Sequence, residues 1–88
     1  MIVKVQMLSV NGCKDCKAAI EILEKASKKS GVEFKLEKLD IMDDAAINVA
    51  IEHNLESIPS FLIGKTGING PYFDENKLTS ILKNENNS

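Results

Sequence analysis

The sequence has no tryptophan, one tyrosine, one histidine and only two cysteines among 88 residues. Each shortage closes something off. Structural zinc takes about four protein ligands, and a single chain offers Cys13, Cys16 and His53 with no second Cys-x-x-Cys. No run approaches the roughly 20 apolar residues that span a bilayer, so no membrane association is expected. Charge of one sign is also scarce. The formal net charge is −2, which gives no footing for nucleic acid. The amino-terminal "MIVKVQMLSV" lacks a charged leader and a small-residue cleavage site. It reads as a first strand, and the expected compartment is cytoplasmic, where thiols stay reduced.

What is present suits one small globular unit. Apolar residues make up 43% of the chain, enough for a single core. Neither a repeat nor a linker breaks it. One domain is expected over residues 1–84, with a frayed polar tail over 85–88.

Val3, Val5 and Met7 share one face of the first predicted strand. From Cys13 the apolar period becomes helical. Ala19, Ile20, Leu23 and Ala26 form a stripe, and Gly31 suits a left-handed helix stop. Residues 32–41 read as a second strand in which Val32, Phe34 and Leu36 alternate before Leu39 and Ile41 change parity. A bulge, or a strand covered on both faces, would allow that slip. Asp43 can cap a helix reaching about Asn54, with Ala46, Ile47, Ala50 and Ile51 inward. "IPSFLI" is a third strand, "GKTG" a hairpin turn, and residues 66–69 a fourth strand. Asp74 caps a last helix. The order is β-α-β-α-β-β-α, an α/β fold whose four-stranded mixed sheet is flanked by three helices. Met7 and Met42 are expected to fill gaps in the core, and Tyr72 and Phe73 to lie in the core or at its rim. His53 is expected at the surface, near a helix C-terminus.

The chemistry centres on "GCKDCK", Gly12 to Lys17. A disulfide between residues three apart closes a very small loop and gains little entropy, so a purely structural staple is disfavoured. If the helix starts at Cys13, that sulfur meets free N–H groups and the positive end of the helix dipole, which favour a thiolate. Cys16 then lies one turn along and can reach back to Cys13. That gives an attacker and a resolver. Lys14 favours the thiolate, Asp15 opposes it, and Lys17 adds positive charge. Gly12 leaves Cys13 open to approach. A zinc ion or iron–sulfur cluster shared across a dimer through two Cys-x-x-Cys pairs is the alternative use of Cys13 and Cys16. Pro59 opens a strand, where a trans proline suits only an edge and a cis bond is the other choice.

Taken together, these residues resemble the thioredoxin and glutaredoxin superfamily. The match runs from the first strand through "CKDC" to "AIEHNLESIPSFLIG" and the final helix, as far as about Asn84. The compact arrangement is most similar to small glutaredoxin-like thioredoxins. The resemblance implies a thioredoxin-like fold and a thiol–disulfide oxidoreductase that reduces protein disulfides in cell redox homeostasis. Cys13 would attack, Cys16 would resolve, and Pro59 would be the cis-proline facing them. Ile58 would pair its backbone with an extended substrate, and the rim of Gly12, Ile58, Pro59 and the Gly70 loop would form the partner groove. The Trp-Cys-Gly-Pro-Cys and Cys-Pro-Tyr-Cys motifs of the two branches are both absent. Gly70 and Phe73 to Asn76 loosely match the glutaredoxin segment that holds glutathione. The expected partners are disulfide-containing proteins and either a thioredoxin-reductase-type donor or a low-molecular-weight thiol. No resident cofactor is expected, and the chain is expected to act as a monomer.

Overall fold

The alternating amino-terminal run forms β1, Ile2–Ser9, in the computed structural model, which describes residues 2–87. Helix α1 follows over Cys16–Ser30, then β2 over Glu33–Asp40, α2 over Asp44–His53, β3 over Ser60–Ile63, β4 over Thr66–Asn69 and α3 over Glu75–Asn86. The sheet order is β2-β1-β3-β4. Strands β1 and β2 are parallel, and both the β1–β3 and β3–β4 pairs are antiparallel. This is a thioredoxin-like α/β fold.

Alternation along the strands divides the core into two layers. Val3, Val5, Met7, Phe61 and Ile63 join Leu23 of α1 and Leu78 and Leu82 of α3. Leu8 and Leu62 point the other way and meet Ala46 of α2 and Leu55. β2 explains the parity change seen in its sequence. It runs from Glu33 opposite Ile2 to Asp40 opposite Ser9 without a skipped residue, so no bulge exists. Phe34 and Leu36 pack on the first layer, Leu39 on the second, because both faces are covered there.

Several boundaries depart from the sequence expectation. Helix α1 begins at Cys16 rather than Cys13. Gly12 has φ 78°, and Cys13 N–H donates to Val10 O at 3.1 Å, so a tight turn occupies the chain before the helix. The first i→i+4 bond then runs from Ala19 N–H to Asp15 O. In α2 the inward positions are Ala46, Val49 and Ala50. Ile47 and Ile51 are exposed, because a helix of ten residues seated on Ala46 offers the sheet only a narrow stripe. Met42 lies just ahead of α2, is 79% exposed, and fills no gap in the core. Tyr72 is likewise exposed, whereas Phe73 is buried.

Helix α3 continues to Asn86, past the Asn84 where the sequence places the end of the domain. Glu85 gives it a reason to do so, since its carboxylate accepts from Lys65 N–H in the β3–β4 turn. Ser88 of the polar tail lies outside the described residues. At the other end of α3, Asp74 accepts from Asn76 N–H at 2.8 Å, the capping contact its sequence position suggests.

Candidate functional site

Strand register collects the site at one end of the sheet. β1 and β2 finish there in step, at Ser9 and Asp40. β3 enters at the same end, with Ser60 opposite Leu8, and β4 leaves there, with Asn69 opposite Ser60. The loop after Ser9 carries Gly12 and the cysteines, Pro59 immediately precedes Ser60, and Gly70 immediately follows Asn69. Residues up to 58 positions apart in the chain are thus brought to one edge by pairing alone.

Cys13 and Cys16 are joined by a disulfide, with Sγ–Sγ 2.04 Å and Cα–Cα 5.5 Å. Their surroundings differ. Cys13 is half-buried in the turn before α1, and Cys16 is buried at the first helical position. Cys16 belongs to the apolar stripe of α1, three residues before Ala19 and seven before Leu23, and so it packs into the core layer formed with Phe61 and Phe73. The N–H groups of the first helical turn have no intrahelical acceptor, and that turn holds no acidic residue. A thiolate on Cys13, three residues ahead of the helix, faces this electropositive end from just outside it rather than from within it. Asp15 takes the N-cap position without a side-chain capping bond, and Lys14 and Lys17 are exposed.

The Ile58–Pro59 bond is cis, which answers the isomer question that sequence left open. Pro59 is fully buried and Ile58 half-buried. The Gly70–Pro71 bond is also cis. Nothing in the sequence distinguished that bond from an ordinary strand break.

Gly70 packs tightly against Pro59. A Cβ there would collide with the Pro59 carbonyl oxygen and would lie 2.8 Å from Phe73 Cζ. Both are fixed neighbours, one backbone and one a buried ring tilted against Phe61 with centroids 4.8 Å apart. Gly70→Ala is therefore expected to destabilise the fold by about 1–3 kcal/mol, an overpacking cost. Urea unfolding checks this: a midpoint unchanged from wild type would mean that the loop yields freely.

A concavity of about 620 Å³ opens beside the disulfide, between α1 and the ends of β1 and β2. Lys38 and Asp40 line it on the β2 side. Of the sequence-predicted residues, Gly12, Cys13, Cys16 and Lys17 border this concavity, whereas Ile58, Pro59 and Gly70 lie outside its lining. Lys38, Asp40 and Asn69 were not marked by any sequence signal; each enters the site through strand register. Among the described residues, no group of three or more His, Cys, Asp or Glu side chains is arranged to hold a metal ion. None of the described helices is long and apolar enough to cross a membrane.

Comparison with known proteins agrees with this geometry. Residues 1–83 match the family described as thioredoxin domain. A probable thioredoxin of Methanothermobacter marburgensis is 35% identical over 63 residues, covering 72% of each chain. The probable thioredoxin of Methanothermobacter thermautotrophicus matches to the same extent. Among solved structures, a thioredoxin-like protein from Clostridium perfringens superposes with TM-score 0.68 at 16% identity, covering 94% of this chain and 70% of its own. That likeness is one of fold.

Proposed function

Since this chain belongs to the thioredoxin family and is a thiol–disulfide oxidoreductase, we propose that it reduces disulfides of partner proteins through Cys13 and Cys16. The observation that carries this reading is the unequal burial of two cysteines that already lie within bonding distance of each other. The thiolate of Cys13 attacks one sulfur of the substrate disulfide. A mixed disulfide forms, and the other substrate sulfur departs as a thiolate and takes up a proton. Deprotonated Cys16 then attacks Cys13 Sγ. The Cys13–Cys16 disulfide forms, and the second substrate sulfur leaves as a thiol. Two electrons have passed to the substrate, and an external thiol or reductase returns the pair to the dithiol.

Burial supports this division of labour. A partner sulfur must reach the attacker from solvent, whereas the resolver only has to reach its neighbour. Ile58, half-buried at the same end of the sheet, would offer its backbone to an extended substrate segment, and Gly12 leaves the cysteine loop unhindered.

A redox titration in defined thiol buffers, followed by alkylation and mass measurement, tests the centre. Coupled to it, insulin reduction with dithiothreitol as electron source tests the substrate class. A reversible two-electron transition near about −270 mV, or near about −200 mV if the pair is glutaredoxin-like, is expected, together with insulin turnover. If no intramolecular disulfide forms in that range, the redox assignment fails. Turnover of glutathione mixed disulfides but not of insulin would overturn the protein-substrate assignment alone.

A further inference from the structure

Four polar contacts converge on one side chain next to this site. Asn69, the last residue of β4, accepts through Oδ1 from Glu56 N–H at 2.6 Å, from Ser57 N–H at 3.2 Å and from the Ser57 hydroxyl at 3.3 Å. Its Nδ2 donates to Asn54 O at 3.2 Å. The amide orientation is fixed by its partners. Two backbone N–H groups can only donate and a backbone carbonyl can only accept, so a flipped carboxamide would oppose all three.

These contacts tie down a segment that has little else to order it. Residues 54–57 follow α2 and precede the Ile58–Pro59 bond without regular structure. Asn54 turns the chain in the left-handed region, with φ 54°. Leu55 anchors it once, in the α2-side core, with its N–H on Ala50 O at 2.9 Å. Glu56 is exposed and Ser57 half-exposed, and their backbone N–H groups are both spent on Asn69. Asn69 is itself placed by the sheet, because its Cα pairs with Ser60 in the β3–β4 ladder. One strand-end carboxamide therefore clamps the chain on the approach to Pro59 and references it to the strand that Pro59 opens.

We propose that Asn69 is a positioning residue for protein substrates: its carboxamide holds residues 54–57 so that the Ile58 backbone is presented in a fixed place at the cysteine end of the sheet. This rests on the protein-disulfide reading above and adds to it the residue that orders the docking edge. Pre-ordering a short segment lowers the cost of docking an extended chain on it. A small disulfide that meets only the Cys13 sulfur gains nothing from that edge. Asn69 touches neither cysteine, so its effect should depend on the substrate rather than on the thiol chemistry.

The test compares Asn69→Ala and Asn69→Asp with wild type in three measurements. These are insulin reduction resolved into kcat and KM, the rate of the reduced protein with 5,5′-dithiobis(2-nitrobenzoate), and the Cys13–Cys16 redox midpoint. Asn69→Ala should lower kcat/KM for insulin about tenfold, chiefly through KM. Its rate with the small disulfide and the equilibrium constant of its Cys13–Cys16 couple should stay within a factor of about two of wild type. Asn69→Asp keeps an acceptor for all three donors but sets a carboxylate oxygen against Asn54 O where Nδ2 donated, so it weakens the clamp at that one point. It should lower insulin reduction less than Asn69→Ala does, with the rate toward the small disulfide unchanged. Equal losses toward both substrates, or an unchanged KM in Asn69→Ala, would overturn the proposal and leave the parent reading standing. If Asn69→Ala does not fold, Asn69→Asp decides. A loss in that variant confined to insulin supports the proposal, because only the contact to Asn54 O has been opposed, and an equal loss toward both substrates overturns it. A wild-type chain inert toward insulin would overturn the protein-disulfide reading, and this one with it.

Discussion

Cys16→Ser is expected to stop the reaction half-way, with substrate proteins covalently held on Cys13. Serine cannot attack the mixed disulfide, so the intermediate accumulates instead of resolving. Cys13→Ser should give little such adduct. Its remaining thiol packs in the core layer with Ala19, Leu23 and Phe73 and is only 8% exposed where it borders the concavity, so a partner sulfur meets it far less readily than it meets Cys13. Both variants should lose catalytic insulin reduction by roughly a thousandfold or more, since neither can cycle between dithiol and disulfide. Non-reducing electrophoresis and mass measurement of the adducts separate the two. Equal trapping by both variants would contradict the assignment of attacker and resolver. The difference in burial between adjacent turns of chain is what makes the prediction one-sided.

Phe61→Ala should produce the largest loss of stability away from the cysteines. Phe61 is fully buried in β3, between β1 and β4, and its ring meets Phe73 with centroids 4.8 Å apart at 44°. Deleting such a ring costs about 3–5 kcal/mol in transfer and cavity terms. A domain of this length holds only about 4–13 kcal/mol in total. The melting midpoint should therefore fall by roughly 15–30 °C. Calorimetry checks this, with Phe61→Leu as the milder companion that keeps most of the volume. A fall of only a few degrees would mean that neighbouring side chains collapse into the space. The consequence reaches the site, because Phe73 backs the Gly70 loop that rests on Pro59. Loosening the ring pair removes the support behind that loop.

Much of the architecture was legible because it depends on near neighbours in sequence. Alternating Val3, Val5 and Met7 can bury one face only as a strand, and all three are buried. Gly31 and Asn54 stop their helices in the left-handed region, and Asp74 caps α3, as local chemistry favours. The cysteine spacing was readable for the same reason. The start of α1 was misread because helical periodicity persists back to Cys16 and the intervening turn has no period of its own. Its signal was Gly12, whose positive φ takes the chain out of a helical path.

The sequence by itself determined the order of elements, the family pattern and the two sulfurs that carry the chemistry. Each of these follows from residue type and short spacing. Tertiary structure alone decided which apolar residues of α2 are used, since Ala46 seats the helix and leaves Ile47 and Ile51 outside. It alone made Met42 a surface residue and Glu85 a brace for the Lys65 turn. It also put Asn69 against residues 54–57 and Gly70 against Pro59. The physical reason is common to these cases. Each depends on a contact between residues brought together by strand pairing or helix docking, and such a contact leaves no period, cap or spacing in the chain that makes it.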